Sequence, residues 1–554
     1  MPVALSIAVV AAAAGVRGGS DGSPAPLPPF AARLRQLKVE YAVRPLAIDV
    51  AAPAFSWEIE HPDRGIMQSS FTLSVWERGA SGAKKATRME ASNRSTFVPL
   101  PEGLTLRSDT DYGWAVSIPG LGLNASSGFS TGLLSASDWE SSAWLAASSK
   151  APMPPGCQGC AVAAQLRRDF TLPAGELTRA RLFIAVPGVG RVSLNGAPVD
   201  GIVGTRSRSQ YELRTLYSTY DVSTLLRPGA ENTLALSISG GWYSIYGFGA
   251  PAVRCLLRAT IGGKVFELGT DGTWQENPGP IAYASIYVGV AHDARLETPG
   301  WDAPGYSPTA AEHWTPAVLA NSSASFKLDR AKLASATVPP VEVMHTLTAN
   351  RMREPAPGVF VFDFGQGISG FVRLKVSGVR GTQLELRHGD VLTYPYLGDA
   401  ALRSGDSPIG QPLGTIYVED LDAANQTDLY TLRGTDGEVF EPWATTHGFR
   451  YVQLRYLTEG GRPPTLDMME AFAIRSSVEQ SGSVAFDEIN SDGNSLLNVV
   501  QDNVLWGQAD NLQGVPQDCN QRSERQGWTG DAALTADESA LNYDMGGACD
   551  RHSM

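Results

Sequence analysis

P-Q-D-C-N-Q-R-S-E-R-Q-G-W-T-G-D, residues 516–531, carries no pattern that a hydrophobic core could use. It sets three carboxylates (Asp518, Glu524, Asp531) beside two guanidiniums (Arg522, Arg525) and the indole of Trp528. Sugar chemistry uses such a set. A carboxylic acid protonates a glycosidic oxygen, further carboxylates accept from hydroxyls, Arg donates in a planar fork, and Trp offers an apolar platform. A solvated polar loop has the same composition, so composition alone does not separate the two readings. Working outward, Leu496, Val500 and Val504, with Leu497 and Leu505 beside them, recur at helical spacing, and Asp492 or Asn494 can cap that helix. On the other side Asp531 can cap a second helix carrying Leu534 and Leu541. The polar stretch therefore reads as a loop between two helices.

The wording of residues 518–531, D-C-N-Q-R-S-E-R-Q-G-W-T-G-D, closely resembles the catalytic signature of the bacterial and fungal α-L-rhamnosidases with an (α/α)6 barrel, usually D-C-P-Q-R-D-E-R-x-G-W-x-G-D. Two positions depart from it: Asn520 stands for Pro, which changes loop stiffness, and Ser523 stands for Asp, which removes one charge. The resemblance implies an inverting hydrolase of terminal α-L-rhamnosyl residues. It places the general acid on Glu524, substrate-holding carboxylates on Asp518 and Asp531, and further substrate contacts on Arg522 and Trp528. It also implies a base, a Glu much later in the barrel, for which this chain has no matching position. An extended loop puts Arg522 on the side of Glu524 and Arg525 on the opposite side.

A barrel of six helical hairpins needs roughly 200 residues, at about 12 per helix and about 5 per connection. Residues 478–554 have room for two or three helices. The expectation is the truncated start of a six-hairpin glycosidase domain, with apolar helix faces left open.

Upstream the pattern is β. The expected fold class is multidomain and mainly β, with three sandwich or jelly-roll modules ahead of the incomplete barrel. Over 36–133, runs such as F-T-L-S-V-W-E and Y-G-W-A-V-S-I alternate between turn residues, and the unit resembles the family's immunoglobulin-like module. Its aromatics Trp57, Trp76, Tyr112 and Trp114 fit a core better than a sugar site, because they fall on strand-patterned segments. Residues 138–337 contain the hairpin signal Asn195-Gly196, a strand face of Leu234, Leu236 and Ile238, and a turn beginning at Asp221. They resemble a galactose-binding-like jelly roll, in which G-G-W-Y (240–243) is either a ligand contact or a tight turn with core aromatics. Residues 340–475 read as a concanavalin-like sandwich with strands V-F-V-F-D-F, F-V-R-L-K-V, Q-L-E-L-R-H and F-R-Y-V-Q-L-R-Y. Gly365-x-Gly367-x-x-Gly370, with Glu385 twenty residues beyond Gly365, matches a dinucleotide fingerprint. That fingerprint must open a helix, and residues 371–376 alternate as a strand, so the reading is rejected.

A net charge of -13 argues against nucleic acid, whose phosphates need a basic face. The partner expected is a rhamnose-containing carbohydrate, and oligomeric state is not legible. Residues 1–35 combine an apolar, Ala-rich leader too short to span a bilayer with a Gly/Pro/Ser linker. Secretion is the expectation, with a cytoplasmic chain as the alternative; sequons at Asn93, Asn124, Asn321 and Asn425 are compatible with export. Five cysteines are too scattered for a disulfide framework, and Cys157-x-x-Cys160 suits a local disulfide or two free thiols better than zinc. The seven histidines show no metal motif, and no cofactor is expected. Two function classes remain, a rhamnosidase and a non-catalytic carbohydrate-binding remnant without its base.

Overall fold

The computed structural model describes residues 31–79, 85–148, 153–154, 157, 159–199, 209–320, 328, 331–336, 338–394, 411–486 and 495–547. The apolar leader and most of its linker, the sequon at Asn321, and the helix caps expected at Asp492 and Asn494 lie outside these residues.

Period-2 alternation builds the first unit from two four-stranded sheets. Phe71, Leu73 and Val75 of the strand Phe71–Glu77 face inward, as do Tyr112, Trp114, Val116 and Ile118 of Asp111–Ile118. Phe55 meets Trp114 edge-on at 5.1 Å, and the buried Trp57 indole donates to Gln68 Oε1 at 2.9 Å. Trp57, Tyr112 and Trp114 are thus core residues. Trp76 is half-buried and lies over Gly113, where a Cβ would come within 2.6 Å of the indole.

The second unit pairs a six-stranded with a seven-stranded sheet around one core, to which Leu234, Leu236 and Ile238 contribute fully buried side chains. Asn195 (φ +57°) and Gly196 (φ +79°) make the tight turn between Val189–Leu194 and Ala197–Pro198, as their both-positive φ values require. Asp221 Oδ1 accepts from the Ser223 N–H and hydroxyl, closing the expected turn. G-G-W-Y is a short helix, Gly241–Ile245, with Trp242 and Tyr243 buried. Cys157 and Cys160 are joined as a disulfide.

The third unit is built on a sheet of ten strands among the described residues. Its central element is one 18-residue strand, Val359–Val376, which absorbs two runs that read separately in sequence and shifts register between Asp363 and Ile368. The glycine fingerprint lies inside this strand. A Cβ on Gly370 would stand 1.9 Å from the Phe472 carbonyl oxygen, so close strand packing demands that glycine. The hairpin of Ile281–Ser285 and Gly289–Asp293 comes from the second unit's stretch of sequence yet pairs in parallel with Thr427–Thr431 of the third. Its turn brings Ile286 and Tyr287 beneath residues 516–531.

Two helices follow. Leu496–Asn511 is capped by Ser495, whose Oγ accepts from the Asn498 N–H at 3.3 Å. Thr529–Asn542 begins earlier than its sequence suggests. Trp528 is the N-cap and Asp531 lies in the first turn, where its charge faces the helix dipole without capping a backbone N–H. The apolar faces are open: Val500 is 49% exposed, Leu534 89% and Leu541 74%. No helix among the described residues is long and apolar enough to cross a membrane.

At the end of the first helix, Asp510 accepts from the Ser369 N–H at 2.9 Å. Burial, with Asp390 nearby, pushes its carboxyl up to about 7. A raised carboxyl stabilises the fold most below its unfolded pKa, and that stability is lost as pH rises through about 7. The whole effect amounts to at most about 4 kcal/mol. Asp510→Asn keeps an acceptor for Ser369 and removes the charge. Thermal unfolding should show the variant clearly more stable than wild type near pH 8 and equal to it near pH 4. Parallel pH dependences in the two proteins would contradict this account.

Candidate active site

The loop is closed at its neck and pinned at its base. At the neck the Asp518 N–H donates to the Gln526 carbonyl at 2.9 Å, while Asp518 Oδ1 accepts from the Gln526 N–H at 2.6 Å. Tyr246 from the second unit donates to Gln526 Oε1 at 2.7 Å, and Tyr287 donates to the Glu524 carbonyl at 2.8 Å. At the base Arg525, with φ +50°, turns its side chain into the protein and is 3% exposed. Its five N–H groups meet five neutral oxygens: Arg522 O at 3.1 Å, Ile286 O, Thr446 O and Gln521 O at 2.9 Å, and Gln426 Oε1 at 3.0 Å. Burial pushes the guanidinium down to about 10, still charged at neutral pH.

The other side of the loop faces outward. Arg522 Nη2 lies 2.5 Å from Glu524 Oε2 and 3.4 Å from Asp518 Oδ2, and the Trp528 indole donates to Glu524 Oε1 at 2.7 Å. The expected division holds, with Arg522 beside Glu524 and Arg525 opposite. Asp518, Trp528 and Asp531 line a cleft of about 420 Å³ with Glu538, Gln508 and Asn511. Glu524 and Arg522 are not part of that lining; Glu524 reaches it through the Trp528 N–H. The structure therefore brings Glu524, Arg522, Asp518 and Trp528 into one hydrogen-bonded group and sets Asp531 across the cleft wall.

The two positions that depart from the signature have partners. Asn520 packs on Gly448, where a Cβ would come within 2.6 Å of its amide carbon. Ser523 donates to Asp422 Oδ2 at 2.6 Å, so the third unit stands a carboxylate against the loop where the signature would carry its own. None of Tyr246, Tyr287, Gln426, Asp422 or the acceptors of Arg525 in other units is visible from the loop's sequence. The side chains among them come from positions 99 to 280 residues away.

Four domain descriptions match the chain: a Rha78A-like, N-terminal immunoglobulin domain over 34–135, an alpha-L-rhamnosidase N-terminal domain over 175–345, a bacterial alpha-L-rhamnosidase concanavalin-like domain over 353–475, and a bacterial alpha-L-rhamnosidase 6 hairpin glycosidase domain over 489–552. The chain belongs to the bacterial α-L-rhamnosidase family. It is 35% identical to an α-L-rhamnosidase of Streptomyces avermitilis over 422 residues, 74% of this chain and 37% of that protein. The α-L-rhamnosidase structure from Dictyoglumus thermophilum superposes with a TM-score of 0.79 and 28% identity, covering 93% of this chain and 56% of that one. The Streptomyces avermitilis α-L-rhamnosidase complexed with L-rhamnose gives a TM-score of 0.79 at 25% identity, over 93% of this chain and 64% of that one. This rhamnosidase-family chain thus spans 37–64% of the length of these three relatives.

Proposed function

We propose that the chain carries the acid half of an inverting α-L-rhamnosidase site, with the loop and its two helices forming the first hairpin of a six-hairpin barrel. Glu524 is the general acid, Asp518 and Asp531 hold sugar hydroxyls, Arg522 donates to them, and Trp528 faces the methyl group of rhamnose. The carrying observation is the hydrogen-bonded group of Glu524, Arg522, Asp518 and Trp528 beside a cleft. Both Glu524 oxygens accept, one from Trp528 and one from Arg522. To carry a proton to the glycosidic oxygen, Glu524 must lose one of these donors, and a bound sugar hydroxyl is the competitor that draws Arg522 away. Asp518 is not the base. Its carboxylate lies within 4.8 Å of Glu524, whereas inversion needs roughly 6.5–9.5 Å to seat a water.

The second reading, a carbohydrate-binding chain without turnover, rests on the same cleft, where Asp518, Trp528 and Asp531 can hold a sugar without any proton transfer. An aryl α-L-rhamnoside assay run alongside calorimetric titration with L-rhamnose separates the two. Turnover that disappears in Glu524→Gln supports the acid role. Rhamnose binding without turnover, weakened at least about tenfold by Trp528→Ala, supports the binding reading. Turnover unchanged in Glu524→Gln would remove Glu524 from the mechanism.

A further inference from the structure

We propose that His388, Asp428 and His447 form a buried structural site for one divalent transition-metal ion of the zinc class, beneath the candidate active loop. The three residues come from three consecutive strands of the ten-stranded sheet, Thr427–Thr431, Gln383–Gly389 and His447–Tyr456, and are almost wholly shielded from solvent. Their ligand atoms all lie within 4.8 Å of one another.

The hydrogen-bond arithmetic points to a cation. His388 Nδ1 stands 3.1 Å from the Gln426 carbonyl, which can only accept, so Nδ1 carries the hydrogen and Nε2 presents a lone pair. That Nε2 is buried without a hydrogen-bond partner among the described residues and faces Asp428 Oδ2 at 4.0 Å. Two acceptors opposed in a dry interior are costly unless something positive lies on the line between them. His447 Nε2 is 3.1 Å from both oxygens of the same carboxylate. Ligands bonded at about 2.0–2.2 Å around tetrahedral zinc are roughly 3.4 Å apart, a separation that the 3.1 and 4.0 Å distances bracket. Two imidazole nitrogens with one carboxylate select borderline metals; calcium and magnesium prefer all-oxygen sets. The rings stack at 4.0 Å and 18°, an arrangement open to neutral imidazoles but not to two imidazoliums.

A chamber of about 30 Å³ beside His447, also lined by Thr446, Asn520 and Arg525, has room for one water as a fourth ligand. The outer partners link the metal to the loop. Gln426 holds His388 through its carbonyl, while its side chain accepts from the Gly448 N–H at 2.9 Å and from Arg525 at 3.0 Å. A metal there stiffens the platform on which Arg525 is pinned.

The test uses the full chain, stripped with a chelator and dialysed. Titration with Zn²⁺ should show one equivalent bound per chain and a rise in the thermal midpoint, both lost in His388→Gln and Asp428→Asn variants that keep the wild-type circular dichroism. Cys519→Ser, which alters the other nearby donor set (Asp518, Cys519, Glu524), should retain both. Should the histidine variant fail to fold, wild type loaded with Co²⁺ still decides, because a site of two imidazoles and a carboxylate shows no thiolate-to-metal charge-transfer band. A folded wild type that binds neither ion overturns the proposal, as does a thiolate band or stoichiometry retained in the folded His388 and Asp428 variants.

Discussion

Replacing Arg525 by Met speeds amide hydrogen exchange across residues 516–528 by more than about 100-fold, equivalent to about 3 kcal/mol of lost local stability. The size follows from what the guanidinium does. All five of its N–H groups are used, none on a carboxylate, and they join the loop's own carbonyls to Ile286 of one sandwich stretch and to Thr446 and Gln426 of another. Met fills similar space but removes a donor from five oxygens, of which Gln426 Oε1 keeps the Gly448 N–H, and each one left buried without a partner costs about 1–3 kcal/mol. Lysine keeps the charge but has three donors on a tetrahedral head, so Arg525→Lys should fall between wild type and Met. Exchange is the right measurement because several units need not unfold together, and a single global midpoint would dilute a local effect. An unchanged exchange profile in the Met variant would show that the neck and the two tyrosine contacts hold the loop without Arg525.

Gly370→Ala prevents accumulation of folded protein, while Gly367→Ala, three residues earlier in the same motif, changes stability by no more than about 0.5 kcal/mol. Gly370 is paired on both sides, with Ala473 and with His447, and an added Cβ would stand 1.9 Å from the Phe472 carbonyl oxygen. A backbone oxygen in the middle of a sheet cannot swing aside like a side-chain end, so the expected loss exceeds about 4 kcal/mol. At Gly367 the nearest atom to a Cβ is Asp390 Oδ1 at 4.0 Å, an ordinary contact. Soluble yield and thermal midpoint of the two variants check this. Equal damage at both positions would mean that the glycine pattern serves something other than strand packing.

The loop illustrates how far the residues alone reach. Its polar set and its place between two helices follow from side-chain chemistry and periodicity, which act over a few residues; Arg522 and Arg525 do face apart, but through a turn at Arg525 with φ +50° and not through an extended strand. The inward aromatics of the first unit and the Asn195-Gly196 turn are local in the same sense. Sequence and structure part where two local signals compete. Asp531 is a good capping residue, but helix Thr529–Asn542 starts at Trp528 and leaves it in the first turn. The double runs around 359–376 read as two strands because the glycines between them look like a turn, whereas a register shift carries one strand through.

Periodicity, turn residues and functional-group type are properties of neighbouring residues. They were enough to mark the longer alternating strands and both late helices, the core aromatics, and the short loop that holds the chemistry. What the loop rests on was settled by the folded chain. Arg525 finds Gln426 across 99 positions, Ser523 finds Asp422 across 101, and His388 and His447 stack from separate strands. Those partners are set by strand order in a ten-stranded sheet that borrows a hairpin from the preceding sandwich. Side chains distant in sequence meet there because the sheet's register, not their spacing, brings them together.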